Sequence, residues 1–215
     1  MNRLKVGVVG VGHLGRHHAR VLASLPEVEL VGVVDGRPEQ ARLVAEACQT
    51  TPYTDYHDLL DRVDAVSVAV PTSAHLGVAG AFLERGIPTL VEKPLATTLA
   101  EAERLVELSD RSGALLQVGH IERFNPALSA LDNLAFRPKY IAAERLGTYT
   151  FRSTDIGVVL DLMIHDIDLL LSMVASPVKS VDAVGVAVFG QHEDVANARI
   201  AFEDGTVANL TASRV

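Results

Sequence analysis

Three sets of residues in this 215-residue sequence have types and spacings suited to chemistry. The first is Gly10-x-Gly12-x-x-Gly15, directly after an apolar run that starts at Leu4. Gly10 permits a tight turn, Gly12 leaves room for a pyrophosphate against the backbone, and Gly15 lets a helix pack close to a sheet. The N–H groups of the stretch His13-Leu14-Gly15, where that helix opens, then face the diphosphate of a dinucleotide. Asp35 lies 20 residues after Gly15, at the end of a second apolar run. An acid at that place accepts from the adenosine ribose hydroxyls. Its charge disfavours a 2′-phosphate, which points to NAD rather than NADP. Arg37 softens that preference or lies against the adenine. The competing reading of Asp35 is a turn residue before Gly36.

The second set is Glu92-Lys93-Pro94, a charged pair at the carboxyl end of a short apolar run and followed by a proline. Lys93 can give a proton or a hydrogen bond to a ligand oxygen, and Glu92 can orient it or grip the nicotinamide side. A solvated turn is the alternative. Pro71 and Thr72 end another apolar run and His75 follows, so these join Glu92 and Lys93 as candidate cofactor contacts. The third set is Asp161, His165 and Asp168, at i, i+4 and i+7 in DLMIHDIDLLLSM. On a helix they share a face. An Asp one turn from a His holds the imidazole tautomer and stabilises the protonated ring. A structural polar cluster competes with that reading. Zinc is disfavoured, because HExxH is absent and the lone Cys48 is far off, so no metal is expected. Arg123 and Asn125 in HIERFN, and Arg152, Ser153 and Thr154 in GTYTFRSTDIG, can meet an anionic or polyhydroxy substrate, or serve as domain junction and plain loop.

The elements that position these residues alternate. Strands are expected at 4–9, 28–34, 65–70, 89–91 and 115–118. Helices are expected at 15–25, 38–47, 74–84 and 101–112, the first with Leu14, His18, Val21, Leu22 and Leu25 at helical spacing. A short element at 53–60 has Asp55 as its cap. This rhythm predicts an α/β fold with an N-terminal doubly wound Rossmann domain at 1–120. The remainder, 121–215, predicts an α+β domain with a mainly antiparallel open sheet. Its expected parts are a helix from Pro126 to about 134, a strand at 139–146, a helix at 161–173, and strands at 178–189, 195–202 and 207–213. Asp204-Gly205 joins the last two strands as a hairpin. The final strand is expected to expose a sheet edge, covered by another subunit or by residues missing after Val215.

Lys and Arg number 19 against 27 Asp and Glu, a net charge of −8, with no basic run, which speaks against nucleic-acid binding. No segment reads as signal peptide or membrane span, so a cytoplasmic location is expected.

With GVGHLG at 10–15, Asp35, PTSAH at 71–75, EKPLA at 92–96 and DLMIHDIDL at 161–169, the chain resembles the glucose–fructose oxidoreductase, inositol dehydrogenase and rhizopine catabolism family, Gfo/Idh/MocA. The resemblance implies an NAD-dependent dehydrogenase. Its catalytic lysine falls on Lys93, its Asp and His on Asp161 and His165, and the Lys93–Pro94 bond is expected cis. It also implies a homo-oligomer formed through the C-terminal sheet. Within the family, IERFNP, FRSTDIGVVLDLMIHDIDL and NLTASRV are most similar to bacterial UDP-N-acetylglucosamine 3-dehydrogenases, which serve diamino lipid A synthesis. A sugar-nucleotide substrate follows, with a free sugar, inositol or sugar acid as the alternative and a non-catalytic NAD-binding sensor or partner as another. Family members usually exceed 300 residues, so the C-terminal part of the second domain is expected to be missing.

Overall fold

The structure, a computed structural model, describes residues 3–129, 137–149 and 156–215. The chain divides into two compact units, Met1–Gly119 and His120–Val215.

The first unit holds β1 (Leu4–Val9), α1 (Gly15–Ser24), β2 (Val28–Val34), α2 (Pro38–Cys48), β3 (Thr51–Tyr53), β4 (Ala65–Val68), α3 (His75–Glu84), β5 (Thr89–Val91), α4 (Leu99–Ser112) and β6 (Leu116–Val118). The six strands are all parallel, in the order β3-β2-β1-β4-β5-β6. The expected doubly wound sheet is therefore present, and its order reverses between β1 and β4. Both faces are covered. Val8, Val33, Ala19, Val44 and Ala45 pack on one side, while Val9, Val68, Phe82, Leu83 and Leu105 pack on the other. Adjacent strand residues such as Val8 and Val9 point to opposite faces, which is why these strands are apolar throughout. Phe82 is fully buried, worth about 1.5–3 kcal/mol by transfer alone.

Local chemistry sets several boundaries. Pro38 occupies the first turn of α2, where its missing N–H leaves nothing unpaired. A capping box between Thr98 and Glu101 opens α4 two residues earlier than expected. Gly113 closes it at φ +73°, a conformation that favours glycine. Asp55 caps the turn Tyr56–Leu59 by accepting from the His57 N–H at 2.9 Å. One expectation needs correcting. The apolar stripe read on α1 is not its buried face, since Leu14, Val21 and Leu25 are exposed. The helix instead buries Gly15 and Ala19, small residues that let it lie close to the sheet.

The second unit holds α5 (Pro126–Ser129), β7 (Tyr140–Leu146), a π-helical turn at Val159–Met163, α6 (Ile164–Met173), β8 (Val178–Val186), β9 (Val195–Phe202) and β10 (Val207–Ser213). The sheet order is β7-β10-β9-β8. Two of its pairings are antiparallel, but β7 runs parallel to β10. The final strand is thus interior rather than an edge. Its neighbour β7 comes from far earlier in the chain, and such distant pairing leaves no local signal. Alternate residues Ala196, Ala198, Ile200 and Phe202 of β9, with Ala208, Leu210 and Ala212 of β10, are buried together with Met163 and Leu170. Gly205 turns the hairpin at φ +84°. The helix expected from Pro126 to about 134 is seen as α5; positions 130–136 lie outside the described residues. Among the described residues no helix is long and apolar enough to cross a membrane.

A buried ion pair ties this unit together. The Asp194 carboxylate accepts from the Val188 and Phe189 N–H groups, each at 2.7 Å, and from Arg214 Nε at 2.7 Å. Arg214 also donates to the Ile156 carbonyl at 3.2 Å. The Phe189 and Val188 N–H groups, then Arg214, hold the Asp194 carboxyl well below the usual carboxylate range. A lowered carboxyl adds stability above its unfolded-state value near about pH 4 and loses it as pH falls further. Asp194→Asn is therefore expected to lower the melting temperature at neutral pH and to flatten its fall below that pH; equal melting curves for both proteins from neutral to acid pH would contradict this.

Candidate active site

The glycine turn follows β1. Gly10 has φ +83° and its N–H donates to the Val34 carbonyl at 2.8 Å. A Cβ on Gly10 would lie 2.7 Å from the Ala69 backbone, and one on Gly15 would lie 1.7 Å from the Gly10 carbonyl oxygen. These two glycines are close-packing positions. Gly12 differs, since a Cβ there would meet nothing within 4 Å. That open space lies at the start of α1, whose N-terminus has no side-chain cap. The pairing of open space with a helix N-terminus that no side chain caps fits a diphosphate. His13 lies beside this turn, edge-on to His17 with ring centroids 5.9 Å apart; Leu14 stands at the N-cap of α1.

Asp35 sits at the end of β2, beside the turn. One carboxylate oxygen accepts from the Val11 N–H at 3.2 Å, and the other from the Arg37 N–H at 3.0 Å and Nε at 3.3 Å. Arg37 is thus paired with Asp35 and is otherwise exposed. A carboxylate offers about four acceptor positions, so capacity remains for ribose hydroxyls. Gln40, which sequence reasoning missed, donates from Nε2 to the Val11 carbonyl at 2.6 Å and pins the turn to the first turn of α2.

The loops after β4 and β5 carry the other candidates of this unit. The Lys93–Pro94 peptide is cis. Pro71 precedes a short turn at Thr72–Ala74. His75, read from sequence as a cofactor contact, is 1% exposed. Its Nδ1 lies 3.0 Å from the Pro94 carbonyl oxygen and its Nε2 3.0 Å from that of Val70. The ring bridges the two loops, so His75 holds the Lys93 loop rather than presenting a nitrogen to a ligand. Glu92 points back into the unit. Its Oε1 lies 3.1 Å from His18 Nε2, its Oε2 accepts from the Lys93 N–H at 3.2 Å, and His18 Nδ1 lies 2.7 Å from Ser67 Oγ. Burial pushes the Glu92 carboxyl up, but the hydrogen bond and charge of His18, then the N–H and ammonium of Lys93, outweigh it and hold the group below its ordinary value. Sequence reasoning placed His18 in an apolar stripe; a histidine three residues after Gly15 was the available signal.

In the second unit, Asp161 lies in the π-helical turn and His165 in the first turn of α6. A π turn widens the helix and is frequent at functional sites. It also departs from the regular i, i+4, i+7 face read from the sequence. Glu193 anchors its start, accepting from the Val159 N–H at 3.3 Å while its carbonyl accepts from the Val158 N–H at 2.8 Å. Asp168 does not stand open beside His165 but receives a two-pronged bond from Arg123, at 2.7 and 2.6 Å. Asp166, a residue sequence reasoning passed over, receives the same from Arg145, at 3.0 and 2.8 Å. Asn125 caps α5 by accepting from the Ala127 N–H at 3.0 Å and donates to Glu122 at 3.2 Å. Arg123 and Asn125, expected to meet substrate, are therefore engaged inside the unit. Arg152, Ser153 and Thr154 lie outside the described residues. Among the described residues no group of three His, Cys, Asp or Glu is placed to hold a metal ion.

Comparison with known proteins gives two adjoining family matches. Residues 4–120 match the oxidoreductase family with NAD-binding Rossmann fold, and residues 135–215 match the GFO/IDH/MocA C-terminal domain. The chain belongs to the GFO/IDH/MocA family. It is an NAD-dependent oxidoreductase. The second match corrects one expectation, because the C-terminal domain is present rather than missing. A relative 42% identical over 216 residues is the UDP-N-acetylglucosamine 3-dehydrogenase of Acidithiobacillus ferrooxidans, of which the match covers 68% and all of this chain. The solved structure of that protein, GnnA, superposes with a TM-score of 0.94 over 100% of this chain and 71% of its own. The myo-inositol dehydrogenase Hyg17 of Streptomyces leeuwenhoekii is 31% identical over 229 residues, covering 98% of this chain and 70% of its own. The chain thus spans about two thirds of the length of these relatives.

Two glycine variants separate packing from binding. Gly12→Ala is expected to keep the melting temperature while weakening NAD, because its methyl enters only the open space. Gly15→Ala is expected to destabilise the fold by about 1–3 kcal/mol through overpacking. Equal NAD affinity in wild type and Gly12→Ala, read by titration calorimetry, would contradict the placement of the diphosphate.

Proposed function

We propose that this protein oxidises a ring hydroxyl of a sugar nucleotide, UDP-N-acetylglucosamine at C3, to the ketone. The observation supporting that substrate is 42% identity to a UDP-N-acetylglucosamine 3-dehydrogenase across both domains, against 31% for the inositol dehydrogenase Hyg17. Bound NAD supplies the hydride acceptor for the carbon that carries the hydroxyl. The residues of the chain do the rest of the work. The Gly10–Gly15 turn and the α1 N-terminus bind the diphosphate, and Asp35 accepts from the adenosine ribose. Lys93 donates a hydrogen bond to the reacting oxygen and stabilises its developing negative charge. His165 takes the hydroxyl proton, with Asp161 as its orienting carboxylate. Arg152, Ser153 and Thr154 are assigned to the oxygens of the sugar nucleotide.

The test is NADH formation with UDP-N-acetylglucosamine, run beside free N-acetylglucosamine, myo-inositol and NADP. Turnover confined to NAD and the UDP-sugar is expected; faster turnover of a free sugar or inositol would move the substrate to that class, and bound NAD without any turnover would favour a sensor. Lys93→Met is expected to lower kcat by roughly 10²–10⁴-fold with NAD affinity retained, and unchanged turnover would remove Lys93 from the mechanism.

We also propose a homo-oligomer built through the open sheet. Every residue of β8 is exposed, including Val181, Val184 and Val186. Uncovered apolar strands of this kind are commonly interaction surfaces. Light scattering is expected to give a multiple of the 23.0 kDa chain mass, reduced to one chain by Val184→Lys; a monomer in the wild type would overturn this.

A further inference from the structure

The nucleotide-binding unit contains a connected set of polar side chains that the mechanism above does not use. Ser67 belongs to β4, His18 to α1, and Glu92 stands just past β5. Ser67 is 3% exposed, and its Oγ lies 2.7 Å from His18 Nδ1. On the other side of the ring, Nε2 lies 3.1 Å from Glu92 Oε1. The second Glu92 oxygen accepts from the Lys93 N–H at 3.2 Å. Gly119 leaves the space that the Glu92 side chain occupies, since a Cβ there would lie 2.9 Å from its Oε1 and 3.3 Å from its Cα.

We infer that Ser67, His18 and Glu92 form a hydrogen-bonded relay running to Lys93, with His18 as the positioning residue that fixes the carboxylate beside that lysine. The chemistry follows from donor and acceptor types. A carboxylate only accepts, so the ring nitrogen facing it, Nε2, carries a proton. Nδ1 then accepts from the Ser67 hydroxyl when the ring is neutral and donates to the same oxygen when it is charged. A hydroxyl serves either role by rotation, so the set stays satisfied in both states of the ring. Among the described residues, the charged or titratable groups acting on this carboxylate are His18 and Lys93, and the ring itself meets Glu92 and Ser67. The relay also joins α1, whose N-terminus is assigned to the diphosphate, to the loop of Lys93, assigned to the reacting oxygen. It rests on the role of Lys93 proposed above.

Three measurements on the full chain test it. In ¹⁵N-histidine NMR, with His18→Gln identifying the signal, the neutral His18 ring is expected to carry its proton on Nε2; a proton on Nδ1 overturns the relay whether or not the protein turns over any sugar. In kinetics with UDP-N-acetylglucosamine, His18→Leu is expected to lower kcat roughly ten- to hundredfold with NAD affinity unchanged. It should also raise the pH at which the Glu92 carboxyl titrates, followed by carbon NMR of the side chain, because the carboxyl loses the partner that holds it down. His18→Gln, which retains a donor toward Glu92, should recover part of kcat. An unchanged kcat and an unchanged Glu92 titration in His18→Leu, or a parallel loss of NAD binding, would overturn the positioning role. Absence of turnover in the wild type would instead remove the proposed function, leaving the tautomer to decide the relay.

Discussion

The close approach of α1 to the sheet is the constraint on which the nucleotide-binding unit depends. Gly15 lies against the Gly10 carbonyl so tightly that a Cβ would fall 1.7 Å from the oxygen. Only a residue without a side chain allows that distance. The consequence is double. The helix N-terminus is brought to the carboxyl end of β1, where its dipole can serve an anion. One turn along, the same approach brings His18 within hydrogen-bond distance of Ser67 and Glu92. A single packing requirement thus places both the cofactor-binding helix and the support beneath the Lys93 loop.

In the second unit the equivalent work is done by charge. Arg145 grips Asp166 and Arg123 grips Asp168, each with two hydrogen bonds. The two acids stand on different sides of α6, so the helix that carries His165 is braced against β7 through one and against the segment before α5 through the other. Planar guanidinium–carboxylate pairs fix orientation as well as distance. Glu193 holds the preceding π turn that carries Asp161, and the Asp194–Arg214 pair ties the neighbouring loop to the end of β10.

Much of this was legible in the sequence where the signal is local. The glycine turn, Asp35 at a strand end, and the parallel doubly wound sheet followed from short-range spacing and from strands apolar on both faces. What was not legible depends on distant partners. The side-by-side run of β7 and β10 joins strands more than sixty positions apart, so the last strand looked like an edge. The buried face of α1 was misread because Gly15 and Ala19 bury little area while enabling the closest approach. Arg123, Asn125 and His75 were marked by type as polar groups just after strand ends, and Asp168 as the i+7 member of a helix face. Their partners decide their roles: Arg123 and Asp168 meet across 45 positions and His75 reaches Pro94 across 19, while the nearer Val70 carbonyl of His75 and the neighbours of Asn125 are met only through turns that the sequence did not specify. His18 was hidden by helical periodicity, which assigns a face but not a partner.

The central claim, hydride removal from a sugar-nucleotide carbon to NAD, is tested most directly by isotope transfer. UDP-N-acetylglucosamine with deuterium at C3 of the sugar would be incubated with the protein and NAD, and the reduced dinucleotide analysed by mass spectrometry and NMR. The account predicts deuterium at C4 of the nicotinamide and a slower reaction than with the unlabelled substrate. Unlabelled NADH, or no reduced dinucleotide at all, would contradict it.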